Sequence, residues 1–190
     1  MKKSTSFRNL LFVFTITAFL SCEKEKIDPE IPNESELITT LKVVFVSSAG
    51  DTGVFQFQDP DGDGGIAPSI TNDTLKANTE YKLSYLILRD ESTATPIEIN
   101  TEILEEADEH QFFFIPENTL NLDFSYRDSD KNGKPLGIQF DAKAGTKSKG
   151  NLRIVLRHLP NKAAAGVSDG DISNAGGESD IEVDFQVVID

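Results

Sequence analysis

The sequence predicts an all-β domain, an antiparallel β-sandwich of about seven to eight strands with one short amphipathic helix. Three observations predict it. Apolar residues recur with a period of two along most of the chain from Leu37 onward, clusters of Asp, Asn, Gly and Pro interrupt the alternation, and one segment alone shifts to a helical period. Alternation sends apolar side chains to one face of a strand and polar ones to the other, which marks half-buried antiparallel strands. Strands with a single apolar face make a core only by bringing two faces together. A sandwich does this, and a small β-barrel is the alternative.

The strands follow in order. Leu41 to Val46 comes first, and then Phe55 and Phe57 alternate with Val54, Gln56 and Gln58. Tyr81, Leu83, Tyr85 and Ile87 alternate with Lys82 and Ser84, and Gln111 to Ile115 supplies an eighth, weaker strand. Leu120, Leu122, Phe124 and Tyr126 form the next apolar series, followed by Leu136, Ile138, Phe140 and Ala142, and by Leu152, Ile154 and Leu156. The run Ile181, Val183, Phe185, Val187, Ile189 is the longest. Turn-rich segments fall at 59–65, 128–135, 143–150 and 161–179. The apolar phases select an inward set: Phe55, Phe57, Tyr81, Leu83, Leu122, Phe124, Ile138, Phe140, Ile154, Val183 and Phe185. The exception to the period of two is Thr101 to His110. There Ile103, Leu104, Ala107 and Gln111 recur at helical spacing, with Asn100 available as N-cap, so a short helix covers an edge or end of the sheets.

Ahead of the strands, Lys2, Lys3 and Arg8 precede an apolar run from Leu10 to Leu20, the layout of a secretory signal. Leu20-Ser21-Cys22 follows and resembles the lipobox cut by lipoprotein signal peptidase, with Phe19 where Leu is commoner. The apolar run is short for a membrane span. Residues 1–21 are therefore expected to be removed as a lipoprotein signal peptide. Cys22, the one cysteine of the chain, is expected to carry the acyl chains that hold the protein on the membrane. Residues 22–36, charged and interrupted by Pro29 and Pro32, read as a flexible tether, and 37–190 as a single sandwich domain.

The chain of 190 residues has 18 Lys and Arg against 32 Asp and Glu, a net charge of −14. Removing the signal takes away three cations and no carboxylate, which leaves 15 against 32, a net of −17. A field of that sign repels nucleic acid and concentrates cations.

Several groups could hold a cation. Asp59, Asp61 and Asp63 place three carboxylates at alternate positions before Gly64, and Asp128, Asp130 and Asn132 repeat the pattern before Gly133. Alternate oxygens beside a glycine turn are how a short loop wraps Ca²⁺. Loop position 12, where an EF-hand has its bidentate Glu, holds Ile70 and Gln139 here, so neither loop is an EF-hand. Turn chemistry is the main reading of the second loop, with a cation the weaker alternative, whereas the density of charge in the first motivates Ca²⁺. His110, closing the helix one turn after Glu106, and His158, in register with Leu152, Ile154 and Leu156, form a weaker candidate pair. With Glu106 or Glu109 they could bind Zn²⁺ or Cu²⁺. No nucleophile elbow, zinc-protease motif, phosphate loop or dinucleotide fingerprint is present, so the sequence points to no catalytic residue.

QDPDGDGG (58–65), LKANTEY (75–81), EEADEHQFFF (105–114), DKNGKPLGI (130–138), LRIVLRHLPNK (152–162) and GDISNAGGESDIEVDF (170–185) resemble short lipoproteins of the Bacteroidota. Those proteins are labelled "type 1 periplasmic binding fold superfamily protein". Type 1 periplasmic binding proteins have two doubly wound α/β lobes, a fold this alternation does not predict, so the label is a poor fit to the fold. The resemblance implies a lipid anchor in the outer membrane, with the periplasmic and surface faces both open. It carries no firm activity, and the leading expectation is a non-catalytic binding or scaffold module, stabilised by Ca²⁺ if the first loop binds it, with an envelope protein or glycan as candidate partner. An envelope glycan hydrolase is the alternative.

Overall fold

Alternating apolar residues fold into two sheets that face each other across a core of aromatic rings. The computed structural model describes residues 36–62 and 64–190, which belong to one compact unit. The signal segment, Cys22, most of the tether and Asp63 lie outside the described residues. Among the described residues there are eleven strands: β1 (Thr40–Val46), β2 (Thr52–Gln58), β3 (Ser69–Thr71), β4 (Thr74–Leu75), β5 (Thr79–Asp90), β6 (Ile97–Glu98), β7 (His110–Pro116), β8 (Leu122–Tyr126), β9 (Gln139–Ala144), β10 (Ser148–His158) and β11 (Glu178–Ile189). One helix, α1 (Ile99–Glu105), lies between β6 and β7.

The larger sheet runs β3-β2-β1-β5-β9-β8, with β6 paired to β5, and the smaller runs β4-β11-β10-β7. Neither sheet closes on itself, so the fold is a β-sandwich rather than a barrel. All pairings are antiparallel except the two-residue contact of β4 with β11. Rings knit the two layers together. Phe45 of β1 meets Phe55, Tyr81 and Phe140 edge-on at 5.5, 5.8 and 5.6 Å, and Phe55 reaches Phe185 of the opposite sheet at 5.9 Å. Phe114 of the small sheet stacks on Phe124 of the large one at 4.7 Å. Deleting any fully buried ring here should cost about 3–5 kcal/mol. A second cluster, Phe113, Val155, Val167 and Ala175, lies where the 161–179 segment covers the outer face of β7 and β10. That cover explains why β7 is buried on both faces and why its sequence, HQFFFIP, does not alternate.

Four expectations need correction. Leu83 points to solvent at 59 % exposure, and Tyr85 is exposed too. A β-bulge between Tyr81 and Ser84 inserts one residue, so the inward phase passes from Tyr81 to Ser84, Leu86 and Leu88. Slipping a strand by one residue exchanges its faces. Leu83 itself adopts φ +69°, a region that disfavours a branched side chain. The helix spans 99–105, not 101–110, and Glu98 occupies the N-cap position. Asn100 is not the cap: its side-chain amide accepts from the Leu88 N–H (2.6 Å) and donates to the Leu86 carbonyl (3.0 Å), as a neighbouring strand would. His110 begins β7 instead of ending the helix, because pairing of its strand with β10 overrides the local helical period. The turn expected at 143–150 shrinks to 145–147, since β9 continues to Ala144 and β10 starts at Ser148.

Candidate metal centre

Four side chains from four separate pieces of chain converge at the end of the small sheet. Glu36, His110, His158 and Asp180 bring one ligand atom each to within 4.8 Å of one another. The backbone dictates each placement. His110 opens β7 and His158 closes β10, and the two are direct partners in the antiparallel register. Partners across antiparallel strands share a face at close range, so the imidazoles stack at 4.8 Å with planes 14° apart. Asp180 comes from a second β-bulge. Leu156 pairs with Ile181 and Arg157 with Ser179, which leaves Asp180 as the extra residue of β11. Simple alternation from Ile181 would turn Asp180 outward. The bulge instead brings its side chain to zero exposure beside the imidazoles. Glu36 arrives from the segment just before β1, with its side chain 2 % exposed. The domain therefore begins ahead of Leu37, and Glu36 does not belong to the tether.

The electrostatics favour a cation. Glu36 Oε1 lies 3.0 Å and Asp180 Oδ2 3.7 Å from His110 Nε2, and Asp180 Oδ1 lies 3.7 Å from His158 Nδ1. The Glu36–His110 contact has the distance of a hydrogen bond without its direction. Both Glu36 oxygens and His110 Nε2 are buried with no in-line hydrogen-bond partner. On the far side of the ring, His110 Nδ1 donates to the Glu106 carbonyl at 3.1 Å. A carbonyl oxygen only accepts, so Nδ1 carries the proton, and a neutral His110 keeps an Nε2 lone pair close to the Glu36 carboxylate. Electron pairs crowded at that distance are relieved by a proton or a metal beside them. A backbone carbonyl that fixes the tautomer from the far side of the ring is a regular feature of metal-binding histidines.

Without a metal the proton takes that role. Burial, the strongest influence, pushes His110 down, yet Glu36, the Glu106 carbonyl and Asp180 together raise it above its ordinary value. Burial likewise pushes Glu36 up, but His110 and the charge of His158 bring it below the usual carboxylate range. A divalent cation would balance both buried carboxylates at once. Two imidazoles and two carboxylates form a donor set suited to Zn²⁺. Bonds of about 2.0–2.1 Å put tetrahedral ligands roughly 3.3 Å apart, so seating an ion draws the four atoms inward. All four side chains have exposures of 5 % or less. Such a closed shell is characteristic of a structural site rather than a catalytic one.

The sequence brought His110 and His158 forward but matched them with Glu106 or Glu109. The geometry supplies Glu36 and Asp180 as the carboxylates, and of Glu106 it is the backbone carbonyl that touches His110. Glu36 reads as one more charge of the tether and Asp180 as the polar phase of a strand. The bulge that turns Asp180 inward has no local signature in GESDIEVDF.

In the other loops, protein groups occupy the carboxylates. Asp128 accepts from the Gly137 and Gln139 amides at 2.6 and 2.8 Å; burial is the strongest influence on it and holds its pKa above the ordinary value. Asp130 Oδ1 accepts from the Asn132 and Lys134 amides, and Asp130 Oδ2 accepts from Lys162 Nζ at 3.2 Å. Asn132 thus enters through its backbone, and this segment is a pinned turn, in place of the cation loop considered for Asp128, Asp130 and Asn132. In the first loop, Asp61 Oδ2 accepts from the Ile66 amide at 3.1 Å and the Asp59 amide donates to the Thr39 carbonyl at 2.7 Å. The Ca²⁺ expectation there depends equally on Asp63, outside the described residues. No protein-family model, curated protein or solved structure matches the chain, so the centre is read from its own geometry.

Proposed function

We propose that this chain is an outer-membrane-anchored lipoprotein, a non-catalytic binding or scaffold module whose sandwich is locked at one end by a divalent metal ion, most simply Zn²⁺. The observation that carries the metal is the buried quartet Glu36, His110, His158 and Asp180, whose ligand atoms lie within 4.8 Å of one another. The anchor rests on Cys22 behind its cationic and apolar leader, and on the resemblance to short envelope lipoproteins. A glycan hydrolase needs two carboxyl groups facing each other across a substrate cleft. Glu36 and Asp180 are closed off from solvent, which favours the non-catalytic role. In that role the metal contributes folding free energy, because it binds the folded arrangement and not the unfolded chain.

The two halves are tested separately. Chelation should lower the melting temperature of the native protein, and Zn²⁺ should restore it where Na⁺ at matched ionic strength does not. A melting temperature indifferent to both removes the metal from the proposal. Cys22→Ala should leave the protein out of the membrane fraction, and its retention there removes the anchor.

A further inference from the structure

We propose that the metal is also a clasp on the start of the domain. By holding Glu36 it pins residues 36–38 to the sandwich, and its loss opens the peptide bond after Glu36 to proteolysis. The inference rests on the metal reading above and adds to it which part of the chain the metal controls.

The four ligands are held unequally. His110, His158 and Asp180 sit on β7, β10 and β11, neighbouring strands bonded into one sheet. Glu36 sits on no strand. Thr39 is the first residue fastened to the sheet, its amide donating to the Arg89 carbonyl at 3.0 Å and its hydroxyl accepting from the Glu91 amide at 2.6 Å. Ile38 is the first core side chain, and Leu37 is 51 % exposed. Among the described residues, the backbone of 36–38 makes no hydrogen bond to any other element. What holds Glu36 down is therefore its own carboxylate.

That hold depends on positive charge. The Glu36 and Asp180 ligand oxygens lie within 4.8 Å of each other, both buried, so they repel unless a cation lies between them. Removing a divalent ion leaves the imidazole side of the site to balance both. The strain is most easily relieved by the ligand on the loosest backbone, and Glu36 reaches water by moving a segment with no sheet bonds to break. Asp180 has no such freedom, because the residues on either side of it, Ser179 and Ile181, are both paired with β10. Metal occupancy thus decides whether the peptide bond after Glu36 is presented to a protease. In the anchored protein a cut there separates the sandwich from Cys22, so loss of metal becomes a route to release from the membrane.

The test uses the full chain at one pH and a glutamyl endopeptidase, with cleavage after Glu36 followed by mass. Glu98, whose side chain is 53 % exposed, serves as the internal reference. Zinc at about ten times its Kd should slow cleavage after Glu36 roughly tenfold and leave the rate at Glu98 unchanged. Asp180→Asn, which keeps the shape and removes a ligand, should abolish the zinc effect at Glu36. If circular dichroism shows that variant unfolded, His158→Gln takes its place. Zinc uptake in calorimetry without slowing at Glu36 overturns the clasp and leaves the metal site standing. Equal slowing at Glu36 and Glu98 also overturns it, since global stabilisation then explains the protection. Absence of zinc uptake overturns both readings.

Discussion

Two clusters of buried charge lie on the small-sheet side of this sandwich, and they solve the same problem in opposite ways. Lys162 and Asp130 are 6 % and 7 % exposed. The ammonium donates to the Ala107 carbonyl at 2.6 Å, the Pro135 carbonyl at 2.9 Å and Asp130 at 3.2 Å, while two backbone amides complete the aspartate. Every charge there has a partner from the chain itself. The quartet of Glu36, His110, His158 and Asp180 is as deeply buried, yet Glu36 and His110 Nε2 meet without an in-line hydrogen bond. The difference shows that density of carboxylates does not identify a site. Carboxylates tied to the chain's own donors are structure, and ligand atoms of four residues gathered within 4.8 Å of one another can hold a cation.

The largest expected effect comes from breaking the self-sufficient cluster. Lys162→Met leaves Asp130 charged and buried without its counterion, which should cost about 3–5 kcal/mol in a urea titration, equally with zinc and with chelator. A loss below about 1 kcal/mol would show that the clamp is ornamental to the fold. The clamp also has an acid signature. Burial pushes Asp130 up, but the Lys134 and Asn132 amides and Lys162 together bring it below the ordinary aspartate value, about 3.8. The folded pKa is therefore depressed, and its stabilisation is complete above 3.8 and lost as pH falls through the folded value. Denaturation series of wild type and Asp130→Asn should converge at the acid end of that window and separate above it. Parallel curves would assign the stability to other groups.

Next in size is Gly177→Ala. Gly177 has φ +68°, and an added Cβ would run into the His158 carbonyl oxygen. The clash and the left-handed backbone together should cost roughly 3 kcal/mol and displace the last residue of β10, which carries an imidazole of the quartet. The expected readout is a lowered melting temperature together with weakened zinc binding. A variant that loses stability but binds zinc normally would place the ligand geometry beyond the reach of this turn. Zinc itself should stabilise the wild type by about 2.7 kcal/mol at one hundred times Kd, and His110→Ala should remove that gain. Persistence of the gain in His110→Ala would move the metal elsewhere.

The smallest effect belongs to the bulge in β5. Leu83→Gly relieves a positive φ and removes an exposed apolar side chain, against the entropy glycine adds to the unfolded chain, so stability should change by no more than about 1 kcal/mol. A loss above 2 kcal/mol would give Leu83 a packing role its exposure does not suggest.

The sequence made the sandwich legible because most of its strands keep a strict period of two: β11 buries all of Ile181, Val183, Phe185, Val187 and Ile189. His158 was legible for the same reason, in phase with Leu152, Ile154 and Leu156. What stayed hidden lies where the period breaks. One bulge turned Leu83 out of the core, and the other turned Asp180 into the site. Strand pairing moved His110 from the helix end to β7, and tertiary burial took Glu36 out of the charged tether. Local pattern fixes which face a residue takes within a regular strand. Bulges, strand starts and the first residues of a domain depend on partners far away in sequence, and Asp180, His110 and Glu36 sit at such places.

The most direct test of the metal site is calorimetric titration of Zn²⁺ into the chelator-treated full chain, beside a His110→Ala/His158→Ala double variant. One zinc per chain in the wild type and none in the variant is the expected result. No uptake by the wild type, or undiminished uptake by the variant, would contradict a metal centre at Glu36, His110, His158 and Asp180.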